Sequence, residues 1–511
     1  MARDSVKRSA VWSFIMNWAQ QGTNAAFVFI LAAILGPETF GVVAVAAIFV
    51  TFIQMLVEQG LSLPLQQRAE LSREHQDSAF WALSGWALLL TVIALALAPW
   101  WGAMNDASLV ADVVLALAPL LLVHAVCVVP RTMLTRSLRF RSLTAATTSS
   151  ALIGGIAGVV AAVQGAGVWS LVVQQWVSTG LATILTWRYA GYRPRLYLSS
   201  ARLKELLPVA SGSFLNQLAA FANARADAIL VGLFFGPLAV GLYRLADRII
   251  QLAMTLLARP LALFALPYLA THQNDPAAFA QGARNCIGIS TALVVPVMGV
   301  VVAVSPLMTA VIGPEWHLAW IAISLLAVVG AVQSVALFAP QLLNAAGRSH
   351  MAAATSWISA LMSVVTFVIA GYLARDASTA EQLAAIAGSR AAMSVLLSLP
   401  FYLVVVRNAS GLRLGELAKE LVAPTCSGVV GMALAAAAMH LDPVGFAPAW
   451  VRLLVYGTLG YGAALFVTYR LDARLRAEVE SLLQRISARR RGTGAGAATA
   501  AAAEGADAAE R

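Results

Sequence analysis

The chain has 511 residues, of which 60% are hydrophobic and only 11% charged, with a net charge of +10 and a mean hydropathy of +0.78. Apolar runs of about 20 residues recur from end to end, which excludes a soluble globular domain and marks an all-α polytopic membrane protein. Period-2 alternation is absent, which argues against a transmembrane barrel, and the basic excess sorts into loops instead of forming a nucleic-acid surface.

The N-terminus starts with Arg3, Lys7 and Arg8 and runs into a long apolar segment, so a cleavable signal is not expected. Fourteen spans follow, at approximately 11–35, 40–58, 79–101, 108–129, 143–163, 167–187, 207–234, 239–263, 283–304, 318–344, 351–373, 382–405, 419–439 and 449–468. Residues 305–313 are apolar but too short to cross, and are expected to form an outer loop. Basic residues occupy the N-terminus and every second connection, while the alternate loops hold only Arg375. Short basic loops stay in the cytoplasm, so both termini are expected there. Beyond the last span, Leu471, Leu475, Val479, Leu482, Leu483 and Ile486 recur at helical spacing, which predicts an amphipathic helix on the membrane. The Ala/Gly-rich end from 492 is expected to be disordered.

The chain repeats itself. Leu35-Gly36-Pro37-Glu38-Thr39-Phe40-Gly41 recurs as Phe235-Gly236-Pro237-Leu238-Ala239-Val240-Gly241, an offset of 200 residues. Each copy joins two spans by a tight turn on the outer face, where Pro and Gly suit the backbone. Six spans separate the copies, which predicts parallel repeats. The expected organisation is a six-helix lobe at 1–205, a second at 206–410, two additional helices at 411–470 and a cytoplasmic tail at 471–511.

The spans that flank the second turn carry Arg225, Asp227, Arg244, Asp247 and Arg248. An ionisable side chain at a bilayer centre costs roughly 2.5–3.5 kcal/mol on insertion scales, so these need water, partners or a charged ligand. Counted from the turn, both sets fall about 7–14 Å into their helices, in one layer. Arg244 and Arg248 share a helix face, and Asp247 can pair with Arg244. Asn216, Asn223 and Asp227 share a face of the preceding span. A buried ion-pair network is one reading. The other is an anion site, because three arginines exceed two aspartates and guanidinium suits phosphate. Arg390, in the twelfth span, is a candidate for the same group.

The first lobe differs. Asn17, Gln21 and Asn24 follow one helical stripe, and Gln54, Gln174 and Gln175 add further amides. These are either interhelical hydrogen-bonding groups or a cavity wall suited to sugar hydroxyls. His124 is expected to be a satisfied interior imidazole, and Glu58 a solvated helix-end carboxylate. Cys127, Cys286 and Cys426 lie in apolar spans without metal-like spacing, so no metal and no cofactor is expected. Short loops throughout, without a nucleotide-binding or carboxylate-pair motif, favour transport over catalysis.

Several stretches together resemble the polysaccharide transporter branch of the MOP flippase superfamily. They include residues 60–70 with His75 and Trp81, then Pro130-Arg131 through Arg141, then Gly167-Val168-Trp169-Ser170-Leu171 with Gln174 and Gln175. They continue with Asn223-Ala224-Arg225-Ala226-Asp227, Gly236-Pro237 to Tyr243, Gly313-Pro314-Glu315-Trp316, and Asn344-Ala345-Ala346-Gly347-Arg348. The pattern runs from about residue 5 to 440 and is most similar to colanic-acid and teichuronic-acid exporters. The resemblance implies two lobes around a cavity with alternating access. It also implies translocation of an undecaprenyl-diphosphate-linked oligosaccharide for exopolysaccharide, capsule or O-antigen assembly in the bacterial inner membrane. Lipid II flippases of the superfamily carry cavity arginines on the first span. That span has none here, which throws the weight onto Arg225, Arg244 and Arg248. The expected partners are the lipid-linked oligosaccharide, membrane lipids, and the polysaccharide polymerase and chain-length machinery, with no nucleic acid. The competing expectations are a cation-coupled multidrug exporter and a non-transporting scaffold of a glycan-assembly complex.

Overall fold

The computed structural model describes residues 2–58, 62–68, 71–105, 107–273, 275–471 and 476. Among them every regular element is a helix. In chain order these are α1 (Ala2–Glu58), α2 (Ser62–Gln67), α3 (Arg73–Met104), α4 (Ser108–Leu117), α5 (Leu120–Arg136), α6 (Phe140–Val163) and α7 (Trp169–Ala190). A short α8 (Ser200–Lys204) leads into α9 (Leu207–Leu257) and α10 (Arg259–Ala270). There follow α11 (Pro276–Ile312), α12 (Ala319–Ala336), α13 (Ala339–Ala345), α14 (Ser349–Leu373) and α15 (Thr379–Met393). A π-helical turn at Ser394–Ser398 joins α15 to α16 (Leu399–Ser410), and α17 (Leu414–Leu441) and α18 (Ala449–Leu471) close the described chain. The expected amphipathic helix and tail beyond Leu471 lie outside the described residues, Arg476 excepted.

Eleven stretches among the described residues are long and apolar enough to cross a membrane. The chain is therefore a multi-pass membrane protein, but the expected spans do not appear as fourteen separate helices. Two of the eleven stretches, Gln20–Val57 and Arg225–Leu257, contain the repeated Gly-Pro turns and are folded back on themselves. α7 is 22 residues long, but Gln174, Gln175, Ser178 and Thr179 make it too polar to stand out by hydropathy. The expected outer loop at 305–313 is corrected: α11 continues to Ile312. That segment has no polar break, and the Ser305 hydroxyl is satisfied by Ser324 Oγ at 2.7 Å. Asp275 starts α11 by accepting from the amides of Ala277 and Ala278, with Pro276 in the first turn.

Gly36 has φ 74° and ψ 166°, and Gly236 has φ 75° and ψ −174°. Only glycine adopts this region without strain, and the following proline starts the next helix at a fixed φ. Both turns reverse the chain. In α9, Tyr243 reaches back to Asp227, and Val240 lies against Gly232. In α1 the reversal follows from the neighbours. Trp101 and Trp86 donate to the carbonyls of Val45 and Leu56, so the second arm is antiparallel to α3. Gln20 and Phe27 lie against Thr147 and Gly155, so the first arm follows α6.

The two turns touch. A Cβ on Gly41 would lie 1.8 Å from the carbonyl oxygen of Pro237, and one on Gly241 would lie 2.0 Å from that of Pro37. The 200-residue repeat is therefore a reciprocal contact in which each glycine receives the other turn's backbone. Around it, one continuous apolar core joins α1, α3, α4 and α5 to α9, α11, α12, α14 and α15. Trp316, 1% exposed, seals the turn end by donating to the carbonyl of Ala32.

Helices α3 to α7 pack with α1; α11, α12, α14 and α15 pack with α9, and α13 and α16 join that group through α14 and α12. α17 and α18 lie on α11. Gly299 meets Gly428 so closely that an added Cβ would sit 2.3 Å from the Gly428 carbonyl oxygen, and Arg284 pairs with Glu420 at 2.6 Å. The connection between the two groups is held to the first. Arg202 pairs with Glu74 at 2.9 Å, Glu205 pairs with Arg68 and lies 3.3 Å from His75, and Tyr192 donates to Asp77 at 2.7 Å.

Candidate functional site: a cavity between the two helix groups

Between the α1 group and the α9 group lies a cavity of about 1560 Å³. Ligand pockets for small molecules commonly fall within roughly 300–1,000 Å³, so this one suits a larger ligand. Its lining runs from Phe40 and Val43, just beyond the first turn, to Gln66, Arg131, Phe140 and Arg259, all exposed, at the opposite end.

The wall from the first helix group is neutral. Gln21 and Asn24 of α1 and Gln174 and Gln175 of α7 line it, with Ser178, Thr179 and Thr183 continuing along α7. α6 adds Thr147 and Ser150. His124 also lines the cavity, and the amide of Gln54 lies 3.3 Å from its Nδ1. Gln54 thus stands behind the wall and positions the imidazole. Asn17, Asn216 and Asn223 lie outside the residues whose side chains are described, as does Glu58.

The opposite wall is cationic. Arg225, Arg244, Asp247, Arg248 and Arg390 all line the cavity. Asp227 does not, because it is turned into the protein. It pairs with Arg390 and accepts from Tyr243 at 3.0 Å and from the amide of Ala228 at 2.7 Å. Arg390 also donates to the Tyr243 hydroxyl at 2.6 Å. Asp227 is 3% exposed and Tyr243 is fully buried, so this triad is a neutral lock between the two arms of α9 and α15, with Arg390 at the edge of the cavity. Arg244 lies 3.5 Å from Asp247, one turn along the helix. Arg225 and Arg248 have neither a carboxylate nor a hydrogen-bonding partner among the described residues, and the Arg248 Nε is buried without one.

The charge on this wall does not cancel. Asp227 neutralises Arg390 and Asp247 faces Arg244, which leaves Arg225 and Arg248 as net positive charge. A buried charge without a partner is costly, so the arrangement is suited to an anion entering the cavity. Both ion-pair network and anion site were open from the sequence. The structure shows the ion pairs Arg390–Asp227 and Arg244–Asp247 beside Arg225 and Arg248, which have no ion pair among the described residues.

Further groups join this wall that composition alone did not single out. Gln251 and Thr255 of α9 and Arg259, the first residue of α10, extend the face of Arg244 and Arg248, and Arg259 donates to Gln251 Oε1 at 3.2 Å. The spacing 244, 248, 251, 255, 259 follows a helical period and was the available signal. Ser356, Ser359 and Ser363 form a hydroxyl stripe on α14, where Ser359 and Tyr402 are 2.6 Å apart. Gln333 of α12 completes the set.

Comparison with known proteins agrees with this architecture. The polysaccharide biosynthesis protein family matches residues 30–320, more than half of the chain. The succinoglycan biosynthesis transport protein ExoT of Rhizobium meliloti (strain 1021) is 29% identical over 385 residues, covering 74% of this chain and 76% of that protein. The teichuronic acid biosynthesis protein TuaB of Bacillus subtilis (strain 168) is 22% identical over 351 residues, covering 63% of this chain and 72% of its own length. Among solved structures, the lipid II flippase MurJ in its inward closed conformation superposes with a TM-score of 0.67 at 11% identity, covering 90% of this chain and 99% of MurJ. An inward-facing MATE multidrug transporter of the MOP superfamily superposes with a TM-score of 0.59 at 13% identity, covering 78% of this chain and 96% of its own. The chain shares the MOP flippase fold and belongs to the polysaccharide biosynthesis protein family.

Proposed function

We propose that this protein is a flippase that carries an undecaprenyl-diphosphate-linked oligosaccharide from the cytoplasmic to the periplasmic leaflet of the bacterial inner membrane, for exopolysaccharide, capsule or O-antigen assembly. The observation that carries this reading is the pair of arginines, Arg225 and Arg248, left without a carboxylate in one wall of a 1560 Å³ cavity. Guanidinium binds phosphate oxygens through a planar fork, and the opposite wall of amides and hydroxyls suits sugar hydroxyl groups. The names of the relatives ExoT and TuaB, a succinoglycan transport protein and a teichuronic acid biosynthesis protein, support a glycan cargo.

In this reading residues 1–205 and 206–410 act as two lobes, and residues 411–470 are an addition packed on the second. The Gly36 and Gly236 turns face the periplasm, and both termini lie in the cytoplasm, in keeping with the sorting of basic loops. Alternating access moves the lobes about the contact between the turns. The protein does no chemistry on its cargo. A polysaccharide polymerase and its chain-length partners would receive the delivered unit. A cation-coupled multidrug exporter would need carboxylates free to hold cations, whereas Asp227 and Asp247 are both engaged by arginine. A scaffold would have no use for a charged cavity.

The test is export of the cognate glycan by cells carrying Arg248→Glu at normal protein level. Export should cease. Normal export would overturn the proposal, and drug efflux without glycan loss would favour the exporter.

A further inference from the structure

Arg225, Arg244 and Arg248 do not complete the cationic face of α9. Arg259 stands at the junction with α10, eleven residues beyond Arg248, which is about 16 Å along a helix. It is exposed, lines the same cavity, and has a neutral partner, Gln251, so its charge is not cancelled there. Arg131 of α5 lines the cavity as well and is also exposed. Between the two arginine positions, Gln251 and Thr255 keep the face polar. No lining residue of α9 past Asp247 is acidic.

We infer that Arg259, positioned by Gln251, is a second diphosphate-binding position, a loading site occupied before the cargo reaches Arg225, Arg244 and Arg248. The inference rests on the flippase reading. The backbones of Arg248 and Arg259 lie about 16 Å apart along the helix, so the headgroup occupies the two positions in succession. Gln251 fixes the guanidinium toward the cavity without neutralising it. Thr255, one helical turn from both, offers a hydroxyl during the passage. Lipid-linked and free diphosphate share the chemistry that this position recognises, and the position commits to the lipid-linked form because the cavity above it accommodates the attached glycan.

The test uses the full chain in proteoliposomes and follows flipping of a fluorescent polyprenyl-diphosphate disaccharide. Arg259→Gln should raise the half-saturating lipid concentration about ten- to hundredfold, the loss expected for one charged hydrogen-bonding group, with the maximal rate little changed. Arg259→Lys should recover most of the affinity. Arg248→Gln should instead lower the maximal rate. An Arg259→Gln protein with unaltered half-saturation would overturn the loading site while leaving the flippase reading intact. Normal flipping by both variants would overturn both. A fall in maximal rate and thermal stability without a change in half-saturation would mean that Arg259 is structural, which also overturns the inference. Inorganic pyrophosphate should compete only weakly. Competition at the same concentration as the lipid would mark a site for soluble anions and overturn the assignment to lipid-linked cargo.

Discussion

The turns at Gly36 and Gly236 are one piece of backbone used twice, yet the helices they join do different work. Each turn has the same positive φ, the same following proline, and a glycine five residues on that admits the other turn's carbonyl. The arms diverge. Those of α1 present Gln21 and Asn24 to the cavity, and those of α9 present Arg225, Arg244, Asp247 and Arg248. The repeat conserves what determines where the chain goes, because a backbone contact tolerates no side chain. It leaves free what faces the cavity, where any residue fits sterically and only its chemistry matters. The result is a symmetric scaffold around an asymmetric site.

The comparison can be tested at several points. The largest effect is expected on the charged arm. Arg244→Glu or Arg248→Glu should abolish glycan export, whereas Gln21→Ala on the matching arm should lower it only about five- to tenfold, the loss of one neutral hydrogen bond. Equal loss from both would break the assignment of the anion to one wall.

Next comes the triad, whose Arg–Asp pair has no counterpart among the described cavity-lining residues of the first helix group. Asp227→Asn leaves the Arg390 guanidinium buried without its carboxylate, and breaking such a pair costs roughly 3–5 kcal/mol. Gln54→Ala removes one hydrogen bond to His124, worth about 1 kcal/mol. Thermal unfolding in detergent should separate the two variants clearly. A mild Asp227→Asn phenotype would mean that Arg390, at the cavity edge, is satisfied there without its carboxylate.

The shared backbone gives the third test. Gly41→Ala and Gly241→Ala should each force the turns apart, because the new methyl would lie within 2.0 Å of a carbonyl oxygen. Cysteines placed at Gln21 or Gln175 should then label from the membrane side that carries the turns. Gly22→Ala, with nothing within 4 Å of its Cβ, is the control that should leave labelling unchanged. Different effects of Gly41→Ala and Gly241→Ala would show that the contact is less symmetric than its geometry.

The smallest effect concerns the attachment of the inter-group connection to the first helix group. The His75 hydrogen bond, and then that from Arg68, hold the Glu205 carboxyl below the usual carboxylate range. A depressed carboxylate adds stability above its unfolded value, about 4.3, and loses it as pH falls through the lower folded value. Wild type and Glu205→Gln should therefore differ slightly at neutral pH and converge in acid. The effect is small because the carboxylate is exposed. Identical stability of the two at neutral pH would remove this cluster as an anchor.

Much of this was legible in the chain itself. Hydropathy alone marks a polytopic helical protein, because a bilayer demands runs of apolar residues and helices satisfy their own backbone. The offset of 200 residues exposes the repeated turns, since glycine and proline are required there for backbone reasons. The excess of arginine over aspartate in two adjacent spans pointed to a charged layer, and the pairing of Arg244 with Asp247 was readable from helical spacing. Three things depended on tertiary structure. Whether Asp227 faced the cavity or Arg390 was a matter of packing, because α15 lies more than 150 residues away in sequence. The close approach of Gly41 to Pro237 joins segments about 200 residues apart, and each glycine in isolation is merely a small residue. Finally, nothing in the sequence singled out Arg259, and only the cavity it lines connects it with Arg248. Periodicity shows which residues share a face, but only the folded chain decides what that face meets.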